Sequence, residues 1–230
     1  MNLIQRLHRQ NIKHDYLHEN ESHSHNIPFW VRHYDKIVSL ITLGRTNTIH
    51  QQTLALADLR AGDAVIDIGC GTGALVLEAE NVVGSNGTAV GLDVEPAMIE
   101  QARRRASRKH GQATFEIASV EQIPYPDNTF DVAISSLMYH HLTESQKTEG
   151  LAELKRVLKP DGRLLVVDLN PSRRSILTAL PGHNQLDRQD YVRDEVTEQM
   201  QSAGFRNIKA GPHPYRLLSY AIGQKAYTTP

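Results

Sequence analysis

Apolar and polar positions along the chain follow two alternating rhythms. Short apolar runs of strand character fall at 64–69, 89–94, 113–118, 130–136 and 163–168. Longer segments at 47–59, 74–81, 95–109, 144–158 and 188–203 read as helices. Their apolar residues recur at helical spacing: Met98, Ile99, Ala102 and Ala106 in one, Leu151, Leu154 and Leu158 in another, Val192, Val196 and Met200 in a third. Local signals agree. Arg60-Ala61-Gly62-Asp63 makes a turn into the first strand, Pro96 suits a helix's first turn, and Thr143 with Gln146 makes a capping box. Pro160 and Gly162 predict a tight turn before the fifth strand, and runs at 205–210 and 216–223 predict a closing hairpin. Strands that alternate with helices imply an α/β fold, a doubly wound parallel sheet covered on both faces.

The first part of the chain departs from this rhythm. Residues 1–27 are polar and rich in histidine, and 28–44 are more apolar and hold the only tryptophan, Trp30. The reading divides the chain into an N-terminal tail and helical cap over 1–45 and one domain over 46–230. With 230 residues the chain suffices for one sizeable core. A formal net charge of −1 gives no reason to expect a polyanionic partner such as nucleic acid. The single cysteine, Cys70, rules out a disulfide within the chain and fits a reducing compartment. No apolar run reaches membrane-spanning length and no secretory leader is legible at the N-terminus, so no membrane insertion and a cytoplasmic location are expected.

The chemistry concentrates in Val65-Ile66-Asp67-Ile68-Gly69-Cys70-Gly71-Thr72-Gly73. An apolar strand there breaks into a glycine-rich turn ahead of a helix, and the next strand ends on Asp93. Glycines let backbone approach a ligand closely, and a carboxylate one strand over can accept the two hydroxyls of a ribose. Gly69, Gly71 and Ala74 satisfy a dinucleotide fingerprint literally, which keeps a nicotinamide-dependent oxidoreductase open. Asp67 argues against it, because a carboxylate at that strand end repels a pyrophosphate and attracts a cation. S-adenosylmethionine is such a cation, with a sulfonium, an ammonium and no phosphate.

The Asp67-x-Gly69-x-Gly71-x-Gly73 string resembles motif I of the class I S-adenosylmethionine-dependent methyltransferases. Ile123-Pro124-Tyr125-Pro126-Asp127-Asn128-Thr129-Phe130-Asp131 resembles the segment entering that family's fourth strand. Arg156-Val157-Leu158-Lys159-Pro160-Asp161-Gly162-Arg163 resembles the turn before its fifth, and Ala203-Gly204-Phe205 the step into its last hairpin. The resemblance implies a Rossmann-like seven-strand sheet with an antiparallel last strand and S-adenosylmethionine as cofactor. It implies that Asp67, Gly69, Cys70, Gly71, Thr72 and Gly73 surround the methionine and ribose. Asp93 would take the ribose hydroxyls, Val94 and Met98 would meet the adenine, and Ser135 would close the wall. At Ser119 the family usually carries an aspartate, so Ser119 and Val120 would contact the adenine with less charge.

Tyr139, His140 and His141 follow the fourth strand, on the edge where a doubly wound sheet binds ligands. The expectation is that His140, with Tyr139 beside it, removes a proton from the methyl acceptor, and that His141 borders the acceptor. Adjacent histidines are expected to point apart, which makes them a poor metal site, and no metal is expected. His18, His23 and His25 read as a solvated tail. Residues 34–44 resemble the N-terminal segment of the ubiquinone/menaquinone C-methyltransferase branch, which implies a lid carrying Trp30 and Tyr34. The Tyr-His-His string replaces that branch's arginine-bearing string. The insert at 170–189 should border the acceptor. Arg103, Arg104, Arg105, Arg108 and Lys109 read as the solvent face of a helix. The reading is transfer of a methyl group to a small, partly apolar molecule at oxygen, nitrogen or carbon. A non-catalytic cofactor-binding module and an RNA or protein methyltransferase are the other readings.

Overall fold

The computed structural model describes residues 38–40, 42–170 and 192–226. Within them the strands are β1 (Ala64–Ile68), β2 (Thr88–Asp93), β3 (Thr114–Ile117), β4 (Phe130–Ser136), β5 (Leu158–Leu169), β6 (Phe205–Pro212) and β7 (Leu218–Lys225). The helices are α1 (Thr46–Leu56), α2 (Ala74–Val83), α3 (Pro96–Arg108), α4 (Glu144–Val157) and α5 (Thr197–Ser202), with a 3₁₀ turn at Tyr139–His141. One sheet runs β3-β2-β1-β4-β5-β7-β6. β7 is antiparallel to both neighbours and the other pairings are parallel, as the resemblance implies. Residues 1–37 of the N-terminal tail and cap, with Trp30, Tyr34, His18, His23 and His25, and the insert at 171–189 lie outside the described residues.

Burial explains the layering. Side chains of a strand alternate between faces. On β5, Leu164 and Val166 join the core with Leu151 and Leu154 of α4 and Met200 of α5. Leu165 and Val167 join the opposite core with Ile49 of α1, Leu75 of α2 and Ile99 of α3. A strand buried on both faces must be apolar at every position, which is why the sheet's centre reads as continuous apolar runs.

Two boundaries differ in kind from the sequence reading. The turn at Pro160–Gly162 lies inside β5 as a bulge: Asp161 has φ +62, and the β4 pairing jumps from Phe130↔Leu158 to Val132↔Arg163. Leu158 therefore begins a strand instead of ending a helix. Before α5 the ladder is a π-turn at Val192–Val196, which still buries Val192 and Val196. The basic run on α3 also does more than face solvent. Arg103 donates through Nε and Nη2 to the carbonyl of Phe115 on β3, and Arg105 donates to Thr72 at 3.1 Å. Backbone acceptors and a buried hydroxyl, supplied by residues 12 and 33 positions away, draw these cations inward.

The strand order reverses between β1 and β4. Such a switch point opens a crevice at the carboxyl ends of the strands.

Candidate active site

The backbone shapes the first wall of that crevice. Gly69, Gly71 and Gly73 have φ of +71, +52 and +75, in the left-handed region. The turn folds back on β2: the N–H groups of Gly69 and Cys70 donate to the carbonyl of Leu92 at 2.8 and 2.9 Å. Asp93 locks this geometry. One carboxylate oxygen accepts from the N–H of Gly71 at 2.8 Å and the other from the N–H of Glu95 at 2.9 Å. Each oxygen keeps a lone pair for a further donor. α3 is capped by Glu95, whose side chain accepts from the N–H of Ala97. Asp93 thus braces the loop and lines the crevice together.

The crevice encloses about 400 Å³. Of the residues the sequence reading singles out, Gly69, Gly71, Asp93, Val94, Met98, Ser119, Val120 and His141 line it. Cys70, Thr72 and Gly73 do not. Cys70 is buried against Gly91 and Phe115, and Thr72 is buried under Arg105. A Cβ on Gly73 would sit 2.5 Å from Phe115 Cε1, so that glycine serves helix packing. Asp67 and Ser135 lie beneath the wall. They are 4 % and 0 % exposed, and Asp67 Oδ1 and Ser135 Oγ have no hydrogen-bond partner. Burial first, and the neighbouring Asp93 second, push the Asp67 carboxyl well above the usual carboxylate range.

Sequence reasoning missed Glu121 and Gln146. Glu121 lines the wall, takes a short hydrogen bond from Ser119, and accepts from Gln146 Nε2 at 2.9 Å. Gln146 is legible in sequence only as half of a capping box, which the structure contains. The carboxylate absent at Ser119 is thus supplied two residues later. Asp93, Glu95 and Glu121 are the charged residues of the wall, and no lysine or arginine is among its lining residues. Such a wall disfavours a pyrophosphate and favours a cation.

The far wall follows β4. Leu137, Met138, His141 and Leu142 line it, and Leu137 holds a left-handed φ of +58. Strained residues of this kind concentrate at ligand sites. The structure does not place Tyr139 or His140 on the crevice wall. Tyr139 is buried and its hydroxyl donates to Gln199 at 3.0 Å. His140 is held inward by Asp168, through its backbone N–H at 3.0 Å and ring Nδ1 at 2.6 Å. The two histidine rings do not point apart, because the 3₁₀ turn brings their centroids to 3.9 Å. Asp168 was also missed. Its signal was present, a carboxylate ending an apolar strand, as in Asp93. Among the described residues no group of three or more His, Cys, Asp or Glu side chains could hold a metal ion, and no helix is long and apolar enough to cross a membrane.

Comparison with known proteins agrees with this geometry. A family model described as "Methyltransferase domain" matches residues 59–227. The ubiquinone/menaquinone biosynthesis C-methyltransferase UbiE of Francisella philomiragia is 30 % identical over 217 residues, 84 % of this chain and 86 % of that protein. The demethylmenaquinone methyltransferase of Symbiobacterium thermophilum is 32 % identical over 137 residues, 59 % of this chain and 54 % of that protein. Among solved structures, a SAM-dependent methyltransferase from Aquifex aeolicus superposes with a TM-score of 0.69 at 24 % identity, covering 84 % of this chain and 98 % of that one. The cradle fits S-adenosylmethionine on its own terms, because a buried carboxyl with an unpartnered oxygen and an acidic wall without counter-charge both call for a cation. The chain belongs to the class I S-adenosylmethionine-dependent methyltransferases, and it transfers a methyl group from that cofactor.

Proposed function

We propose that this enzyme methylates a small, partly apolar molecule, and that a phenol- or quinol-like ring fits the site best. One observation carries the reading. A single crevice joins an acidic cofactor wall (Asp93, Glu95, Glu121) to an apolar wall (Leu137, Met138, Leu142) that bears an imidazole, His141. A flat apolar ring with one ionisable hydroxyl matches that second wall. The two named relatives act, by their names, in ubiquinone and menaquinone biosynthesis and on demethylmenaquinone.

When bound, S-adenosylmethionine supplies a methyl group on a sulfonium and is left as a neutral thioether. The residues around it do the rest. Asp93 takes the ribose hydroxyls on its remaining lone pairs, while the N–H groups of Gly71 and Glu95 keep its carboxylate in place. Ser119, Val120 and Glu121 meet the adenine, Glu121 supplying the charge that Ser119 lacks. Asp67, beneath the glycine turn, balances the ammonium group. The apolar wall excludes water and holds the acceptor in line. His141, on the wall, accepts the acceptor's hydroxyl proton on a ring nitrogen. The sequence reading gave that role to His140, whose ring is turned toward Asp168. Loss of positive charge along the reaction suits a dry pocket.

The test has two arms. Calorimetry should detect S-adenosylhomocysteine binding and no NADH binding. Mass spectrometry should find a mass gain of one methyl group on phenols or quinols. Binding without methylation of any phenol, quinol or amine would turn the reading to a non-catalytic module.

A further inference from the structure

The acceptor wall has a second layer. Asp168 is the penultimate residue of β5, with a fully buried side chain, and the His140 ring in front of it is 5 % exposed. The carboxylate grips one residue at two points. Oδ2 accepts from the His140 N–H at 3.0 Å, and Oδ1 accepts from His140 Nδ1 at 2.6 Å. Oδ1 also accepts from the N–H of Leu169 at 2.8 Å. A carboxylate that takes two backbone donors and faces Nδ1 at that distance requires the proton on Nδ1. This fixes the ring's tautomer and its plane. His140 then packs on His141, with centroids 3.9 Å apart and planes tilted by 42°. His141 lines the crevice and His140 does not. Carboxylate, inner imidazole and outer imidazole form a column from the core to the acceptor wall.

We propose that Asp168 is a positioning residue for methyl transfer: it fixes His140, and the His140 ring fixes the angle at which His141 faces the acceptor. The proposal rests on the reading of His141 as the proton-accepting group. A carboxylate buried in this way is costly unless its partners are well placed. Ordinary packing of two imidazoles would not need it, since an apolar pair would fill the same space at less cost. The second support is the path of the chain. Leu137 takes a left-handed φ of +58, and its N–H donates to Val167 at 2.8 Å, beside Asp168 on β5. The backbone ahead of the histidines is therefore strapped to the strand that carries the carboxylate. The histidine turn is placed by β5 as much as by β4, which carries it.

The test uses the full chain and two readouts. Nitrogen-15 imidazole spectra of the wild type should show His140 with its proton on Nδ1. A spectrum with the proton on Nε2 overturns the proposal. For kinetics the probe acceptor is a reduced naphthoquinol without a ring methyl. Asp168→Asn keeps the shape and removes the charge. It should lower kcat by roughly tenfold to a hundredfold, less than the loss of a whole general base, with KM for the quinol and S-adenosylhomocysteine affinity changed by less than about twofold. His140→Asn keeps an N–H near Asp168 but has no ring to pack on His141, and it should lose kcat in the same way. Unchanged kcat in both variants, or a loss carried by KM alone, overturns the proposal. A wild type that leaves the naphthoquinol untouched counts against the quinol reading only, and the imidazole spectra then decide the role of Asp168 by themselves.

Discussion

The two walls of the crevice are built from different materials. The cofactor wall is mainly backbone: three glycines in left-handed conformations, N–H groups aimed at Leu92 and Asp93, and a carboxylate that braces the turn. Everything in it comes from residues 67–98 and from a short stretch after β3. The acceptor wall is mainly side chain, and its supports come from far along the chain. His140 meets Asp168 across 28 positions, Tyr139 meets Gln199 across 60, and Lys147 meets Glu195 across 48. A backbone wall recognises what all such enzymes share, since only a few local residues produce its shape. A side-chain wall can vary with the acceptor, because each distant contact can change without disturbing the turn.

The sharpest way to break this contrast is to damage the backbone wall where no ligand touches it. Gly73 has φ +75, and a Cβ there would lie 2.5 Å from Phe115 Cε1 and 2.9 Å from Ala102 Cβ. Gly73→Ala combines left-handed strain with overpacking against a ring and a helix, together about 3 kcal/mol or more. Urea unfolding should show that loss. A change below about 1 kcal/mol would mean that the turn yields easily and that the wall is not set by backbone. Next in size is Asp93→Ala, which removes the brace of Gly71 and the ribose acceptor together. Calorimetry should show S-adenosylhomocysteine binding weaker by roughly 1–3 kcal/mol, the cost of losing a hydrogen bond to a charged group. Unchanged affinity would take Asp93 out of the ligand edge and leave it as a brace only.

This contrast also explains what could be read from the sequence. Element order, the parallel sheet and both core faces were legible, because apolar periodicity reports burial directly: Leu151 and Leu154 are buried on one face, Ile99 and Ala102 on the other. Much of the family resemblance turns out to be scaffolding. Arg156 ties the carbonyls of Ile123 and Tyr125 to Glu153 and Asp127, and Arg163 ties Ala57 and Asp58 to Asp63. Those strings mark the fold and are silent on the acceptor. The glycine turn itself was legible, and Gly69 and Gly71 line the crevice, although Gly73 and Cys70 face packing instead. Asp168 could be read as a carboxylate at a strand end, but its partner could not, because the sheet brings His140 to it from 28 positions away, and the role of Glu121 depends on Gln146, 25 positions on. The inner and outer positions of His140 and His141 depend on a 3₁₀ turn that no spacing rule announces.

A smaller effect concerns the carboxyl beneath the cofactor wall, Asp67. Burial and Asp93 raise the Asp67 carboxyl above its unfolded value. The sign follows. A raised carboxyl contributes stability that is complete below the unfolded value and is lost as pH rises toward the folded one. At neutral pH without ligand, Asp67 therefore opposes folding, and a bound cation relieves it. Asp67→Asn should leave stability unchanged near pH 3 and raise it near pH 8, while S-adenosylmethionine affinity falls by about tenfold, roughly 1.4 kcal/mol. Lower stability at pH 8 in urea would show that the carboxylate is satisfied without ligand.

The smallest effect tests whether long-range side-chain contacts also hold the scaffold behind the acceptor wall. His213, after β6, is 2 % exposed and meets Thr53 of α1 across 160 positions, with Nε2 at 3.3 Å from Thr53 Oγ1. Its Nδ1 accepts from the N–H of Tyr215 at 2.9 Å, so the proton lies on Nε2 and the ring is neutral. A second proton would have to displace that N–H and charge a buried ring. Burial lowers the group from 6.5 to about 4. The unfolded chain takes up a proton as pH falls from 6.5 to about 4, and the folded chain refuses it. Stability from this residue is complete above 6.5 and drains away through that window. His213→Gln retains a donor toward Thr53 and does not titrate. Between pH 7 and about pH 5.7 the wild type should lose about 1 kcal/mol more than the variant in urea unfolding. Parallel losses would mean that the ring protonates without disturbing the contact between α1 and the hairpin, and that this part of the scaffold does not depend on a neutral histidine.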